Sequence, residues 1–294
     1  MSDLRGVYTV VATPFTEDGA IDLAAFGDNL DYFAEKGGHG VIVCGTLGEY
    51  SAMSIEERKK VFEFAAKRLK GRCPLMAGTI ATTTKNVIEL TKHVGDHGGV
   101  GVLLLSHPGL GLNTMELNTY YRDVADNTDV KIMLYNNPGS NGIDLPFDLV
   151  KKLAEHPNIV AIKESSNDVK RISRIVDELS DSLTPFCGYE DMYFEAFCAG
   201  AQGWVCLGGN IAPRMVSELL ELVRSGEIEK ARVLSRNYRP LARYFENTSK
   251  FIQATKYAMD KIGLKGGYTR RPRLPLSAEE KTDIDRILER VKLY

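Results

Sequence analysis

The amino-acid sequence predicts an α/β chain folded as a (β/α)8 TIM barrel with a C-terminal helical extension. Three observations lead there. Short apolar runs alternate with amphipathic stretches eight times in the first ~225 residues. The connections between them are short, as in successive βα units. The first strand runs into Ala12-Thr13-Pro14-Phe15, without the glycine-rich phosphate loop that usually marks an open doubly wound sheet.

The elements follow in order. Residues 6–11 read as the first strand and 23–36 as the first helix; 41–44 form the second strand. Ser54-Ile55-Glu56-Glu57 is a capping box that opens a helix to residue 70. Strand three is 75–77, followed by a helix over 85–94. Strand four is 100–105, with a helix over 116–125. Strand five is 132–135, with a helix over 146–155. Strand six is 159–163, with a helix over 169–179. Strand seven is 183–187, with a helix over 191–199. Strand eight is 203–207, and 213–224 supplies its helix. Beyond residue 225 the strands stop. Helical patterns over 228–244, 249–262 and 278–292 predict an appendage packed on the barrel. Residues 1–225 are thus expected to form the barrel and 226–294 a three-helix extension.

Composition excludes several function classes. Hydrophobic residues make up 44% of the 294 and charged residues 26%, a soluble globular balance. The net charge of −2 gives no general attraction to nucleic acid or an anionic membrane. Neither a signal peptide nor a membrane span is expected from the apolar runs. Five cysteines, Cys44, Cys73, Cys187, Cys198 and Cys206, are an odd number. Three of them lie in or beside apolar strand-like runs, which fits reduced thiols in a cytoplasmic protein.

Chemistry in such a barrel belongs at the C-terminal ends of the strands. Strand six ends at Lys163, after Ile159-Val160-Ala161-Ile162. An ammonium ion is costly to bury, and a neutral amine in such a place is a nucleophile toward a ketone. A lone strand-end lysine usually just reaches water, so its neighbours decide the matter. Strand two ends in Gly45-Thr46-Leu47-Gly48-Glu49-Tyr50, a turn whose backbone N–H groups suit a carboxylate. Strand five ends at Tyr135, a phenol able to shuttle a proton. Strand seven ends in Gly188-Tyr189-Glu190-Asp191, where Glu190 and Asp191 could accept hydrogen bonds from substrate hydroxyls. Each feature alone has a plainer use: a tight turn, a rim tyrosine, acids favoured at a helix N-terminus. Their joint placement points to activation of a 2-oxo acid.

Gly45-Thr46-x-Gly48-Glu49, Tyr135-Asn136-x-Pro138 and Ile162-Lys163-Glu164 in this order and spacing resemble the dihydrodipicolinate synthase/N-acetylneuraminate lyase family. The similarity runs from Thr13-Pro14-Phe15 to Arg271-Pro272-Arg273-Leu274-Pro275-Leu276. The resemblance implies class I Schiff-base chemistry on pyruvate or a related 2-oxo acid, no metal or organic cofactor, and a homotetramer. It implies Lys163 as the Schiff-base lysine, Tyr135 as the proton shuttle, and Thr46 with the Leu47 backbone as the carboxylate site.

Three departures bear on the substrate. Dihydrodipicolinate synthases carry a second threonine where this chain has Leu47. They carry a tyrosine pair after strand four, where this chain has Ser106-His107-Pro108-Gly109. They carry an arginine after the Tyr-Asn-x-Pro motif, where this chain has Gly139-Ser140-Asn141-Gly142. The Gly188–Asp191 segment resembles the one with which sialic-acid lyases hold a hydroxylated tail. The Thr-Leu loop looks like that of catabolic members acting on hydroxylated 2-oxo acids or cyclic imino acids such as hydroxyproline-derived pyrroline carboxylate.

The expectation is therefore a lyase, a dehydratase, deaminase or aldolase, acting on a small 2-oxo acid or its cyclic imine. Dihydrodipicolinate synthase and a sialic-acid-type aldolase are the alternatives; a non-catalytic 2-oxo-acid binding protein is a remote one, since it would need neither Lys163 nor Tyr135. His107, at the barrel mouth, is a candidate acid or base. His93 and His97 stand at a helical metal-ligand spacing. No third ligand is apparent in the sequence, so they are expected to be solvated helix-terminal histidines and no metal is assigned. Cys44 has no activating neighbour in sequence and is expected to be packing.

Overall fold

Apolar residues two apart along each strand collect into two separate clusters, and that parity sets the architecture. Ile42, Met76, Leu103, Met133 and Ala161 share one buried cluster. Their neighbours Val41, Leu75, Val102, Ile132 and Ile162 share another. Alternate side chains of a strand point to opposite faces. One set therefore fills the inside of a barrel and the other meets the surrounding helices.

The computed structural model describes residues 4–106 and 109–291. The strands are β1 (Gly6–Val10), β2 (Gly40–Val43), β3 (Leu75–Gly78), β4 (Gly101–Leu105), β5 (Ile132–Asn136), β6 (Ile159–Glu164), β7 (Thr184–Cys187) and β8 (Gly203–Cys206). They form a closed barrel in sequence order, with β1 parallel to β8. The helices are α1 (Leu23–Glu35), α2 (Ile55–Leu69), α3 (Thr84–Asp96), α4 (Thr114–Asp126), α5 (Pro138–Asn141), α6 (Phe147–Leu153), α7 (Val169–Leu179), α8 (Tyr193–Cys198) and α9 (Pro213–Arg224). The extension is α10 (Ile228–Asn247), α11 (Phe251–Lys261) and α12 (Ala278–Arg290). The (β/α)8 barrel with C-terminal helices matches the sequence expectation. No helix among the described residues is long and apolar enough to cross a membrane.

Differences in element ends have local causes. α2 begins where expected because Ser54 and Glu57 form the full capping box. α4 begins at Thr114, two residues early, because Asn113 and Glu116 make a second capping box that the sequence reading passed over. The short α5 follows β5 because Asn137 caps it and Pro138 sits at its first position.

The extension is joined to the barrel by both apolar packing and charge. Tyr238, Leu241 and Phe245 of α10 and Ile252 of α11 belong to the cluster that holds the barrel interior. Glu49, wholly buried beside the β2 turn, pairs with Lys256 of α11 at 2.6 Å. Lys256 also donates to the Tyr268 carbonyl at 2.6 Å. Glu49 thus serves as the buried anchor of α11.

Candidate functional site

Lys163 and Tyr135 reach the same cavity because of strand parity. Ala161 and Met133 face inward, so Lys163 and Tyr135, two residues on, do too. The two are paired across β5 and β6. Lys163 is only 7% exposed, and its Nζ lies 3.9 Å from the centre of the Tyr135 ring. The Tyr135 hydroxyl accepts from Asn137 Nδ2 at 2.7 Å.

The residues that follow each of them point the other way and brace the wall. Glu164 is wholly buried. Its carboxylate accepts from Asn136 Nδ2 at 3.0 Å, the Ser166 N–H at 2.8 Å and Arg171 Nε at 3.0 Å. Asn136 Oδ1 takes the Leu145 N–H at 2.9 Å. A buried carboxylate needs this degree of pairing to be tolerated. The network fixes β5 against β6 and therefore the spacing of Tyr135 and Lys163.

The cavity holds about 280 Å³ and opens at the C-terminal ends of the strands. Val10, Ile80, Leu103 and Val205 form apolar lining, and Thr46 and Leu47 share the lining with Lys163. Cys44 and Glu49, on either side of the β2 turn, adopt left-handed backbone angles. Non-glycine residues in that region mark a turn held against strain. The backbone N–H groups of Thr46 and Leu47 have no acceptor among the described residues, so they are available to an anion. Ser165, also on the lining, has a buried hydroxyl oxygen with no partner.

Gly188 serves the lysine. A Cβ there would lie 2.6 Å from Lys163 Cγ and 2.0 Å from Ser165 Oγ, closer than atoms can approach. Its glycine character clears the space in which the Lys163 side chain lies.

The acids after β7 divide. Glu190 is 3% exposed. It accepts from the Leu207 and Gly208 N–H groups at 2.9 and 3.0 Å and from the Tyr238 hydroxyl at 2.8 Å. Burial pushes its carboxyl up to about 7 against the pull of those donors. Its oxygens are engaged in tying β7 to β8 and α10, which favours a positioning role over the expected contact with substrate hydroxyls. Asp191 stands outside the lining and faces Arg243 at 3.8 Å. Besides Glu190, the acid on the cavity lining is Glu246 of α10, which sequence reading missed. It accepts the Glu190 N–H at 2.5 Å. Burial pushes its carboxyl up, the Glu190 N–H opposes that, Asp191 adds to it, and Lys163 draws it back. Thr248 and Ser249 lie beside it. His107 lies outside the described residues.

Two other features carry less chemistry. Burial pushes the Cys44 thiol up to about 11, which makes it a poor nucleophile. A wider cleft of about 780 Å³ runs between residues 17–19 and 267–276, but its Lys256 is locked onto Glu49.

Comparison with known proteins agrees with this fold. The sequence profile of the Dihydrodipicolinate synthetase family matches residues 3–291. A 4-hydroxy-tetrahydrodipicolinate synthase of Methanothrix thermoacetophila is 34% identical over 289 residues, which cover 98% of this chain and 97% of that one. The dihydrodipicolinate synthase of Aquifex aeolicus superposes with a TM-score of 0.94 at 29% identity, over 99% of both chains. The chloride-inhibited dihydrodipicolinate synthase of Acinetobacter baumannii complexed with pyruvate gives 0.94 at 28%, over 99% of this chain and 100% of that one.

Proposed function

The chain belongs to the dihydrodipicolinate synthetase family of class I Schiff-base lyases, and from that premise we propose that it cleaves or dehydrates a hydroxylated 2-oxo acid, or opens and deaminates its cyclic imine. The observation that carries this reading is the charge of the cavity. Among the described residues Lys163 is the single cation on its lining, while Ser140, Thr248, Ser249 and Glu246 also line it. A hydroxylated tail finds donors and acceptors there; a second carboxylate finds no cation.

Lys163 Nζ adds to C2 of the 2-oxo acid to give a carbinolamine. Loss of water forms the protonated imine, with Tyr135 carrying protons to and from the C2 oxygen. The substrate carboxylate rests on the Thr46 hydroxyl and the Leu47 N–H. In elimination, C3 loses a proton to form the enamine, whose electrons expel the C4 hydroxyl as it is protonated to water. In retro-aldol cleavage, the C4 hydroxyl loses its proton, C3–C4 breaks and the same enamine results. With a cyclic imino acid, the ring nitrogen leaves C2 in place of water and stays on C5 as an amine; once the C4 hydroxyl is expelled, the C3=C4 bond shifts to C4=C5, the C5 enamine tautomerises to an imine, and water releases ammonia. Glu246 is the acid at the C4 end. Water then releases the product and restores the amine.

Aldol condensation of pyruvate, as in the relatives named 4-hydroxy-tetrahydrodipicolinate synthase, is the second reading. Leu47 has no hydroxyl for a proton relay, and Gly139–Gly142 offers no arginine for the second substrate. We extend the proposal to a cytoplasmic homotetramer, for which sedimentation of the purified protein is the test of assembly.

The deciding experiment is intact mass after borohydride reduction with pyruvate, hydroxylated 2-oxo acids and cyclic imino acids, run alongside turnover. One adduct mapping to Lys163, absent in Lys163→Ala, together with turnover of a hydroxylated substrate, is expected. Turnover of pyruvate with aspartate semialdehyde alone would establish the condensation instead. Normal turnover in Lys163→Ala would exclude the covalent route.

A further inference from the structure

Far from the lyase cavity, on the outer helical layer, the fold supplies the ligand that the sequence alone did not show for His93 and His97. His93 lies in the last turn of α3 and His97 is its C-terminal cap. Glu63 of α2 faces both. Its Oε1 is 3.3 Å from His93 Nε2 and 4.0 Å from His97 Nε2. One ligand atom from each of the three residues lies within 4.8 Å of the others.

The tautomers are set by the backbone. His97 Nδ1 lies 2.9 Å from the His93 carbonyl oxygen, which can only accept. Nδ1 therefore carries the proton and Nε2 the lone pair. His93 is bonded to the backbone at Lys59, while its buried Nε2 has no hydrogen-bond partner. The 3.3 Å approach of that nitrogen to Glu63 is thus a close contact without hydrogen-bond alignment. Two ring lone pairs and a carboxylate converging with no donor aligned between them is an arrangement that a cation satisfies.

We propose that Glu63, His93 and His97 bind a divalent transition-metal ion, with zinc the best fit, clamping α2 to α3. The donor set of two imidazoles and one carboxylate is one that zinc accepts. Tetrahedral bonds of ~2.0–2.1 Å put neighbouring ligand atoms ~3.3–3.4 Å apart. The His93–Glu63 distance already meets that spacing. The exposed His97 ring, 4.0 Å from Glu63, must move toward both partners to reach it, from ligand atoms that all lie within 4.8 Å of one another. Backbone carbonyls holding the second ring nitrogen are the usual support for such ligands. The fourth position faces solvent and takes water.

The test is zinc titration of untagged, chelator-stripped protein by calorimetry. Cobalt absorption reads the geometry, and thermal unfolding reads the clamp. One ion per chain, a tetrahedral cobalt spectrum and a raised melting midpoint are expected. His97→Ala and Glu63→Gln should each weaken binding at least ~10-fold, the scale on which even outer-shell partners act. Since His97 is exposed, its variant tests the site without disturbing the core. Lyase turnover should be the same with and without zinc in the wild type and in His97→Ala. No zinc uptake, or uptake equal in both variants and the wild type, overturns the proposal; in the second case the thiols hold the ion.

Discussion

At the residue scale, the cavity depends on atoms that are missing as much as on those present. Gly188 faces Lys163, and a methyl group there would strike its Cγ. Gly188→Ala should therefore displace the amine from its reactive position. The expected result is a fall in kcat/KM of ~100-fold, the scale of a 1 Å misplacement of a reacting group. The circular dichroism spectrum should be unchanged. Normal borohydride trapping and turnover in that variant would remove the clearance argument. Glu246 gives a second test. Its raised carboxyl keeps the protonated form present closer to neutrality, so acid catalysis should decline as pH rises through that group. Glu246→Gln keeps an oxygen for the Glu190 N–H but cannot give up a proton. It should lower kcat by ~100-fold or more and flatten that limb of the pH profile. An unaltered profile would show that Glu246 only shapes the rim. Lys163 and Tyr135 were legible in the sequence because each stands near the end of a strand and parity fixes its face, and Thr46 because it sits in the Gly45–Gly48 turn. Glu246 was not, because it lies on a helix some eighty residues after β6 and meets the lysine only when the chain folds back.

At the element scale, the β2 turn and α11 form one mechanical unit. Glu49 closes the Gly45–Gly48 motif, where an acid could face either the cavity or the helical layer, and its oxygens face Lys256 rather than the cavity. Spacing in sequence could not separate those uses, since the partner is more than two hundred residues away. Both groups are almost wholly buried, so removing one leaves the other without its main countercharge. Lys256→Met should cost about 3–5 kcal/mol of stability, measured by urea unfolding. The double change Glu49→Gln with Lys256→Met should recover part of that loss, because no unpaired charge remains. A loss below ~1 kcal/mol in the single variant would mean that the Arg273 guanidinium, with the Arg270 backbone N–H, holds the Glu49 charge instead. The capping boxes show the opposite case. Ser54 with Glu57 was legible because the signal spans four residues; Asn113 with Glu116 carried the same signal and begins α4 for the same reason.

At the scale of the whole molecule, a closed parallel barrel brings eight strand ends to one mouth, and α10 and α11 border it. That geometry divides the cavity lining between the barrel and the extension. Lys163, Tyr135 and the β2 turn come from the barrel; Glu246, Thr248, Ser249 and Phe251 come from the extension. Under the proposed function, substrate choice rests partly on helices whose sequence carries no catalytic motif, which is why the eight-fold βα alternation revealed the fold but not the tail of the substrate. The charge of the mouth allows a direct test. Ser140 lies on the cavity lining at the start of the strand-five loop, where the chain carries no positive charge. Placing a guanidinium there gives a second carboxylate a bidentate partner in a site shielded from water. Ser140→Arg should raise kcat/KM for a dicarboxylic 2-oxo substrate relative to a hydroxylated monocarboxylic one by at least ~10-fold, a differential of about 1.4 kcal/mol. The hydroxylated substrate should lose ground as the arginine fills the space its tail would take. Equal ratios in the two proteins would mean that the tail does not pass Ser140, and that specificity lies wholly on the Glu246 side of the mouth.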